Sequence, residues 1–217
     1  MKKITIPIKS FAALALAAVF ATTAFAQNQK DSLVTAPASS PNNDEIMKRK
    51  IELSKTGENH KLLAGLTGKW TFTGRQLTPD PNVKPEVYGT AERKAVMDGR
   101  YFVFETTGGK LIMPWSDGKE VTYRDIAIEG YDNEKKKFFS SRAANHWSTG
   151  LTTSEGSYDP ATKTITYERE IERGGKKMMV HERLKIINND HYLFEIYSIS
   201  DGRETKRMEA SYTRVSR

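Results

Sequence analysis

The chain has 217 residues, 37% of them hydrophobic and 28% charged, with a formal net charge of +7. It has no cysteine, which excludes disulfides, a thiol-anchored lipoprotein, thiolate catalysis and cysteine-based metal sites. Three of the positive charges are Lys2, Lys3 and Lys9, so the rest of the chain carries only +4, too mild an excess to point to nucleic acid.

Those lysines precede an unbroken apolar run from Phe11 to Phe20 and then Ala24-Phe25-Ala26. A basic start, an apolar centre and a small-x-small end predict a secretory signal peptide over residues 1–26, cut after Ala26. The run is ten residues long, about half of the ~20 that a membrane-spanning helix needs. The expected location is therefore periplasmic or secreted, without a membrane anchor. Residues 27–43 hold Thr35-Ala36-Pro37-Ala38-Ser39-Ser40-Pro41 and no periodic apolar face, which predicts a disordered linker. A single domain is expected from residue 44 to 217.

That domain opens with a short helix. Asn43 or Asp44 can cap it, with Glu45 at its start and Met47 and Ile51 one turn apart. Thr56-Gly57 interrupts it, and a second turn carries His60, Leu62, Leu63 and Leu66. Gly65 and Gly68 end that turn, and Lys69-Trp70-Thr71-Phe72-Thr73 alternates as a strand does. A large indole at this point suits the closed end of a barrel; a core tryptophan after a helix cap is the plainer alternative.

From Lys69 onwards the period is two. Turn signals such as Asp98-Gly99, Gly108-Gly109, Asp132-Asn133, Gly174-Gly175 and Asp201-Gly202 recur every 10–15 residues. The segments between them are rich in Val, Ile, Thr, Tyr and Phe. This predicts an all-β, up-and-down antiparallel barrel of about eight to ten strands, with closure removing the sheet edges. The basic run Lys135-Lys136-Lys137 falls in a turn and reads as a solvated hairpin end.

Two turns allow a register to be written down. A two-residue turn at Gly174-Gly175 sets Arg173 opposite Lys176, Arg169 opposite Val180, Tyr167 opposite Glu182 and Ile165 opposite Leu184. The apolar residues of both strands then share one face, and Tyr167, Arg169 and Glu182 point inward with them. A similar turn at Asp201-Gly202 sets Leu193 opposite Ala210, Glu195 opposite Met208 and Tyr197 opposite Lys206. That places Leu193, Glu195 and Tyr197 inside and leaves Phe194 and Ile196 outside. Either the N-terminal helix covers those two, or the register slips.

The inward charges define the candidate site. Arg169 lies diagonally from Glu182, and Tyr167 lies across from it. They form either a polar floor that grips a ligand, guanidinium on carboxylate with a phenol donor, or a self-satisfied ion pair in a filled barrel. Trp70 near the closed end and His146, in Ala144-Asn145-His146-Trp147, complete the candidate ligand-binding set. His146 can be read as an axial haem ligand, a general base or a hydrogen-bonded rim residue. The four histidines show no metal-ligand spacing, there is no Gly-x-Ser-x-Gly, and no glycine pair leads into a helix. The Glu residues mostly fall on solvent faces, so no carboxylate pair stands out. No metal or cofactor is expected.

His60-Lys61-x-Leu63 leading into Gly68-x-Trp70, Met97-Asp98-Gly99-Arg100-Tyr101, Gly130-Tyr131-Asp132 and Gly156-x-Tyr158-Asp159, in that order, resemble the bacterial domain-of-unknown-function family 1579. The resemblance covers residues 55–215 and implies a calycin-type barrel akin to lipocalins and nitrobindin-like haem barrels. It implies no reaction. The haem barrels use a histidine close to the C-terminal end of the domain, and Lys206 to Val215 contain none. Three functions follow as expectations: an exported barrel holding a small, partly apolar or anionic ligand, a cofactor-free lyase or isomerase, or an envelope interaction module with a filled barrel. Nothing in the sequence fixes an oligomeric state.

Overall fold

In the computed structural model, the described residues are 42–77, 86–112, 115–145, 150–173 and 175–217. The expected signal peptide, nearly all of the linker, and His146 lie outside them. Two helices come first, α1 (Asn43–Leu53) and α2 (Glu58–Ala64). Five strands follow: β1 (Gly68–Gln76), β2 (Glu86–Val96), β3 (Tyr101–Ile112), β4 (Glu120–Asp132) and β5 (Lys137–Ala144). The other five are β6 (Thr152–Asp159), β7 (Thr164–Arg173), β8 (Lys176–Asn188), β9 (His191–Ser200) and β10 (Arg203–Ser216). Each strand pairs antiparallel with the next, and β1 pairs with β10, so the sheet closes into a barrel without edges.

The α1 cap is Asn42, whose side chain accepts a hydrogen bond from the Asp44 backbone amide at 3.4 Å, so the helix begins slightly before the expected Glu45. All of its residues except Leu53 are exposed. The Asn133 side-chain amide holds its end, donating to the Leu53 and Lys55 carbonyls at 2.8 Å each.

One end of the barrel is closed by α2 and the chain that follows it. His60, Leu63 and Leu66 are buried. The His60 Nδ1 accepts from the Gly57 amide at 3.1 Å. Gly68 then starts β1 at a φ of 121°, and a Cβ there would lie 2.4 Å from the Ser216 carbonyl oxygen; only glycine fits this corner. Trp70 is buried beneath it, with its indole N–H donating to the Leu66 carbonyl at 3.1 Å. The Arg214 guanidinium covers the other indole face at 4.1 Å and donates to the carbonyls of Gly65, Thr67 and Asn189. Helix end, first strand and last strand are thus tied by one side chain, and the tryptophan is the expected plug.

The β7–β8 register is the one expected, including Arg169 opposite Val180 and Tyr167 opposite Glu182. The β9–β10 register is not. It starts as expected, with Ser200 opposite Arg203 and Tyr197 opposite Lys206, and then shifts by one residue between Lys206 and Met208. Beyond the bulge Ile196 faces Met208, Phe194 faces Ala210 and Tyr192 faces Tyr212. Phe194 packs on the core, while Glu195 and Tyr197 take the outer side with Lys206. A hairpin register extrapolated from its turn holds only as far as the first bulge, where the extra residue reverses every later side chain. The apolar Phe194 and Ile196 reach the inside this way, with no cover from α1.

The Arg214→Ala variant is expected to lose about 2–4 kcal/mol of unfolding free energy in urea titrations, because several hydrogen bonds to a charged group and the indole contact disappear together. Arg214→Lys, without the planar fork, should recover less than half. Burial first, and then the Arg100 charge, lower the His60 pKa from its ordinary value of 6.5, against a smaller upward pull from the Tyr131 backbone. The fold therefore favours neutral His60, and the stability it contributes is present above that ordinary value and lost as pH falls towards the lowered one. In His60→Gln the urea midpoint should decline less steeply on acidification from about pH 7 to about pH 5.

Candidate functional site

The barrel interior is ionic at mid-height. On β4, Asp125, Ala127 and Glu129 are buried, while Ile126 and Ile128 between them are 45% and 49% exposed. This strand is turned inside out relative to its own hydrophobicity. The ladder explains it: Phe102, Phe104 and Thr106 of β3 point inward and face Glu129, Ala127 and Asp125. The tight turn between β2 and β3 sets Arg93 opposite Phe104, which sends the guanidinium inside as well.

Three ion pairs result. Arg93 Nε meets Glu129 Oε2 at 2.8 Å, with the two side chains 2% and 5% exposed. The Arg93 guanidinium also lies 4.4 Å from the centre of the Phe104 ring. Arg142 of β5 donates to Asp125 Oδ2 at 3.0 Å, and the Tyr123 hydroxyl donates to the same oxygen at 3.1 Å. Arg169 donates to Glu182 Oε1 from Nη2 at 3.1 Å and from Nε at 3.3 Å. Arg142 and Arg169 keep 24% and 20% of their side-chain surface exposed. Both stand in the half of their strands farther from the start of β1.

The pairs surround a chamber of about 20 Å³, lined among others by Arg93, Glu129, Ser140, Arg142, Tyr167 and Tyr192. That volume admits one or two water molecules, or the oxygens of a small anion. Among the described residues, six buried side-chain atoms have no hydrogen-bond partner: Arg93 Nη1, Thr106 Oγ1, Asp125 Oδ1, Ser140 Oγ, Arg142 Nε and Tyr192 Oη. Four of the six belong to side chains that line the chamber. Buried polar atoms are nearly always satisfied, so a cluster of exceptions on one cavity marks a place for a polar guest.

Burial sets the protonation states. Desolvation works against the charge on Arg93, but Glu129 and the nearby phenols outweigh it and hold the guanidinium protonated. Arg142 is likewise desolvated and held charged chiefly by Asp125. Burial raises the Tyr212 hydroxyl to about 12 and pushes Tyr167 and Tyr192 higher still, so all three phenols remain donors at neutral pH. Asp125 is raised above the usual carboxylate value, because burial outweighs Arg142 and Tyr123. The site can therefore present guanidinium and hydroxyl donors to an acceptor, with one carboxylate that readily holds a proton.

Of the residues singled out in sequence, Tyr167, Arg169 and Glu182 meet as expected, with Tyr167 opposite Glu182 in the ladder. Trp70 sits in the barrel floor between Arg214 and Tyr192, 4.7 Å from the latter ring centre, and is not in the chamber lining. Arg93, Glu129, Asp125 and Arg142 escaped the sequence reading, although Asp125 and Glu129 are a buried carboxylate pair on one strand. Arg93 was within reach: hairpin parity across Asp98-Gly99 places it opposite Phe104, just as parity across Gly174-Gly175 placed Arg169. For β4 the only local signal, the Ile126-x-Ile128 alternation, points the wrong way.

Fold and site together define a closed ten-stranded antiparallel barrel with an ionic interior. The model of the family described as Protein of unknown function (DUF1579) matches residues 55–214, and the chain belongs to that family. No curated protein matches it significantly. Among solved structures, the one described as EF1p2_mFAP2b bound to DFHBI is 8% identical, covering 72% of this chain and 99% of that one, at a TM-score of 0.36. A redesigned β-barrel, b11L5F_LGL, is 15% identical, covering 74% of this chain and 98% of that one, at a TM-score of 0.31. At such scores neither likeness bears on function.

Arg93→Met leaves Glu129 buried without a counter-charge and is expected to cost about 3–5 kcal/mol in denaturant titrations. Arg93→Met combined with Glu129→Leu should recover most of that loss, since an apolar pair replaces the ionic one. If the double variant is no more stable than the single one, the pair is not an isolated energetic unit.

Proposed function

We propose that this protein is an exported β-barrel that binds a small anion, such as a carboxylate, in its interior chamber. The observation that carries the reading is the pair of buried, unpartnered guanidinium nitrogens, Arg93 Nη1 and Arg142 Nε, together with the unpartnered hydroxyls of Ser140 and Tyr192, on side chains lining one cavity. An anion there would find guanidinium and hydroxyl donors, and charge-assisted hydrogen bonds to arginine are the strong kind. The phenol of Tyr167 adds a donor, while Arg169, bound to Glu182 through two nitrogens, steadies the wall. The chamber is too small for a bulky molecule, so any apolar part of the ligand lies towards the end opposite α2, past Phe194. The basic, apolar and small-residue order of residues 1–26 supports export, with Gln27 as the mature N-terminus.

A second reading is favoured by the chamber's size. At about 20 Å³ it is also what a filled barrel with one or two structural waters would leave, and such a barrel would act through its outer surface.

Native mass spectrometry of the mature protein, purified gently from its own periplasm, separates the two. The expected result is a chain beginning at Gln27 with a small adduct that is lost on denaturation. In Arg142→Gln the adduct's affinity should fall by at least about tenfold. A clean apo mass, or an adduct indifferent to Arg142, would move the weight to the filled barrel.

A further inference from the structure

Resting on the anion-binding reading, we infer that the barrel takes up its ligand as a weak monoacid: the anion settles between Arg93 and Arg142, and one proton settles on Asp125. The reasoning is a charge count. Three guanidinium groups, of Arg93, Arg142 and Arg169, face three carboxylates, of Glu129, Asp125 and Glu182, in direct pairs. Among the described residues these interior charges therefore cancel. A bound monoanion would leave one uncompensated negative charge in a buried space, which is strongly unfavourable unless a group changes its protonation state.

Asp125 is the carboxylate built to change. Its Oδ2 accepts from Arg142 and Tyr123, while its Oδ1 is buried without a partner. Among the described residues no other carboxylate has a buried, unpartnered oxygen. On its own strand Asp125 is faced by Tyr123 and by the charge of Glu129. Across the ladder on β3 stands the uncharged Thr106. From β5 comes Arg142, and from β10 the phenol of Tyr212. Glu182 of β8 acts on Arg142 in turn. Among the described residues Arg142 is thus the only cation paired with Asp125. A proton on Oδ1 leaves Oδ2 able to accept from Arg142 and frees that guanidinium's charge for the ligand, whose acceptor its Nε lacks. The balance is simple: anion and proton enter together, Arg142 exchanges one counter-ion for another, and the interior charges still cancel. The same state is reached if the neutral acid enters and passes its proton to Asp125. Burial, which already favours the protonated carboxyl, works in the same direction.

The test uses propionate as probe and the purified mature protein. Calorimetric titrations at about pH 7, in two buffers of different ionisation enthalpy, count the protons taken up with the anion. The expected result is one proton per propionate, with an affinity that rises about tenfold for each pH unit of acidification. Asp125→Asn, which is neutral from the start, should bind propionate with no proton uptake and no pH slope. Should that variant not fold, ¹³C-labelled aspartate in the wild-type protein gives the same answer, because the Asp125 carboxyl resonance should titrate at a higher pH once propionate is bound. Propionate bound with no proton exchange, and an Asp125 titration that does not move, would overturn the coupling and leave anion binding standing. No propionate binding at all would overturn both.

Discussion

The structure depends on an ion pair that a closed barrel would ordinarily avoid. Arg93 and Glu129 sit almost wholly out of water, 2.8 Å apart. Two such charges are tolerable only in each other's company, and an apolar pair of similar volume would serve stability at least as well. Their placement fixes much else. Arg93 inside forces the β2–β3 hairpin to present Phe104 inward, and Glu129 inside forces β4 to carry Ile126 and Ile128 on its outer surface. The barrel keeps exposed isoleucines on that strand so that two carboxylates can reach the centre.

Closure makes this arrangement possible. The seam between β1 and β10 is locked from below by Trp70 and Arg214, which bind the end of α2, the first strand and the last into one corner. Charges near the floor are fully desolvated, while Arg142 and Arg169, farther from it, stay partly wet. This gradient of burial, more than any single contact, separates a rigid structural pair from groups that can exchange partners with a guest.

Much of the fold could be read directly from the residues. Alternation and regular turn signals specify an up-and-down antiparallel barrel of about eight to ten strands, and ten are present. The parity argument at Gly174-Gly175 delivered Tyr167, Arg169 and Glu182 to the interior in their correct pairing. The same argument failed at Asp201-Gly202 because the bulge beside Arg207 has no local signature. On β4 the apolar alternation points away from the core, because Ile126 and Ile128 are the outer side chains.

The sequence by itself determined what is local: the strand alternation, the turns between strands and a hairpin register next to a tight turn. These follow from backbone geometry and from a period of two that each strand carries within itself. Only the tertiary structure decided which charges meet across strands that are not neighbours. Arg93 and Glu129 lie 36 positions apart on strands that do not touch in the ladder, whereas Asp125 and Arg142 are diagonal neighbours across the β4–β5 ladder. Whether a charged residue faces water or the centre of a barrel is settled by the sum of all the registers around the ring, and closure imposes that sum on every strand at once.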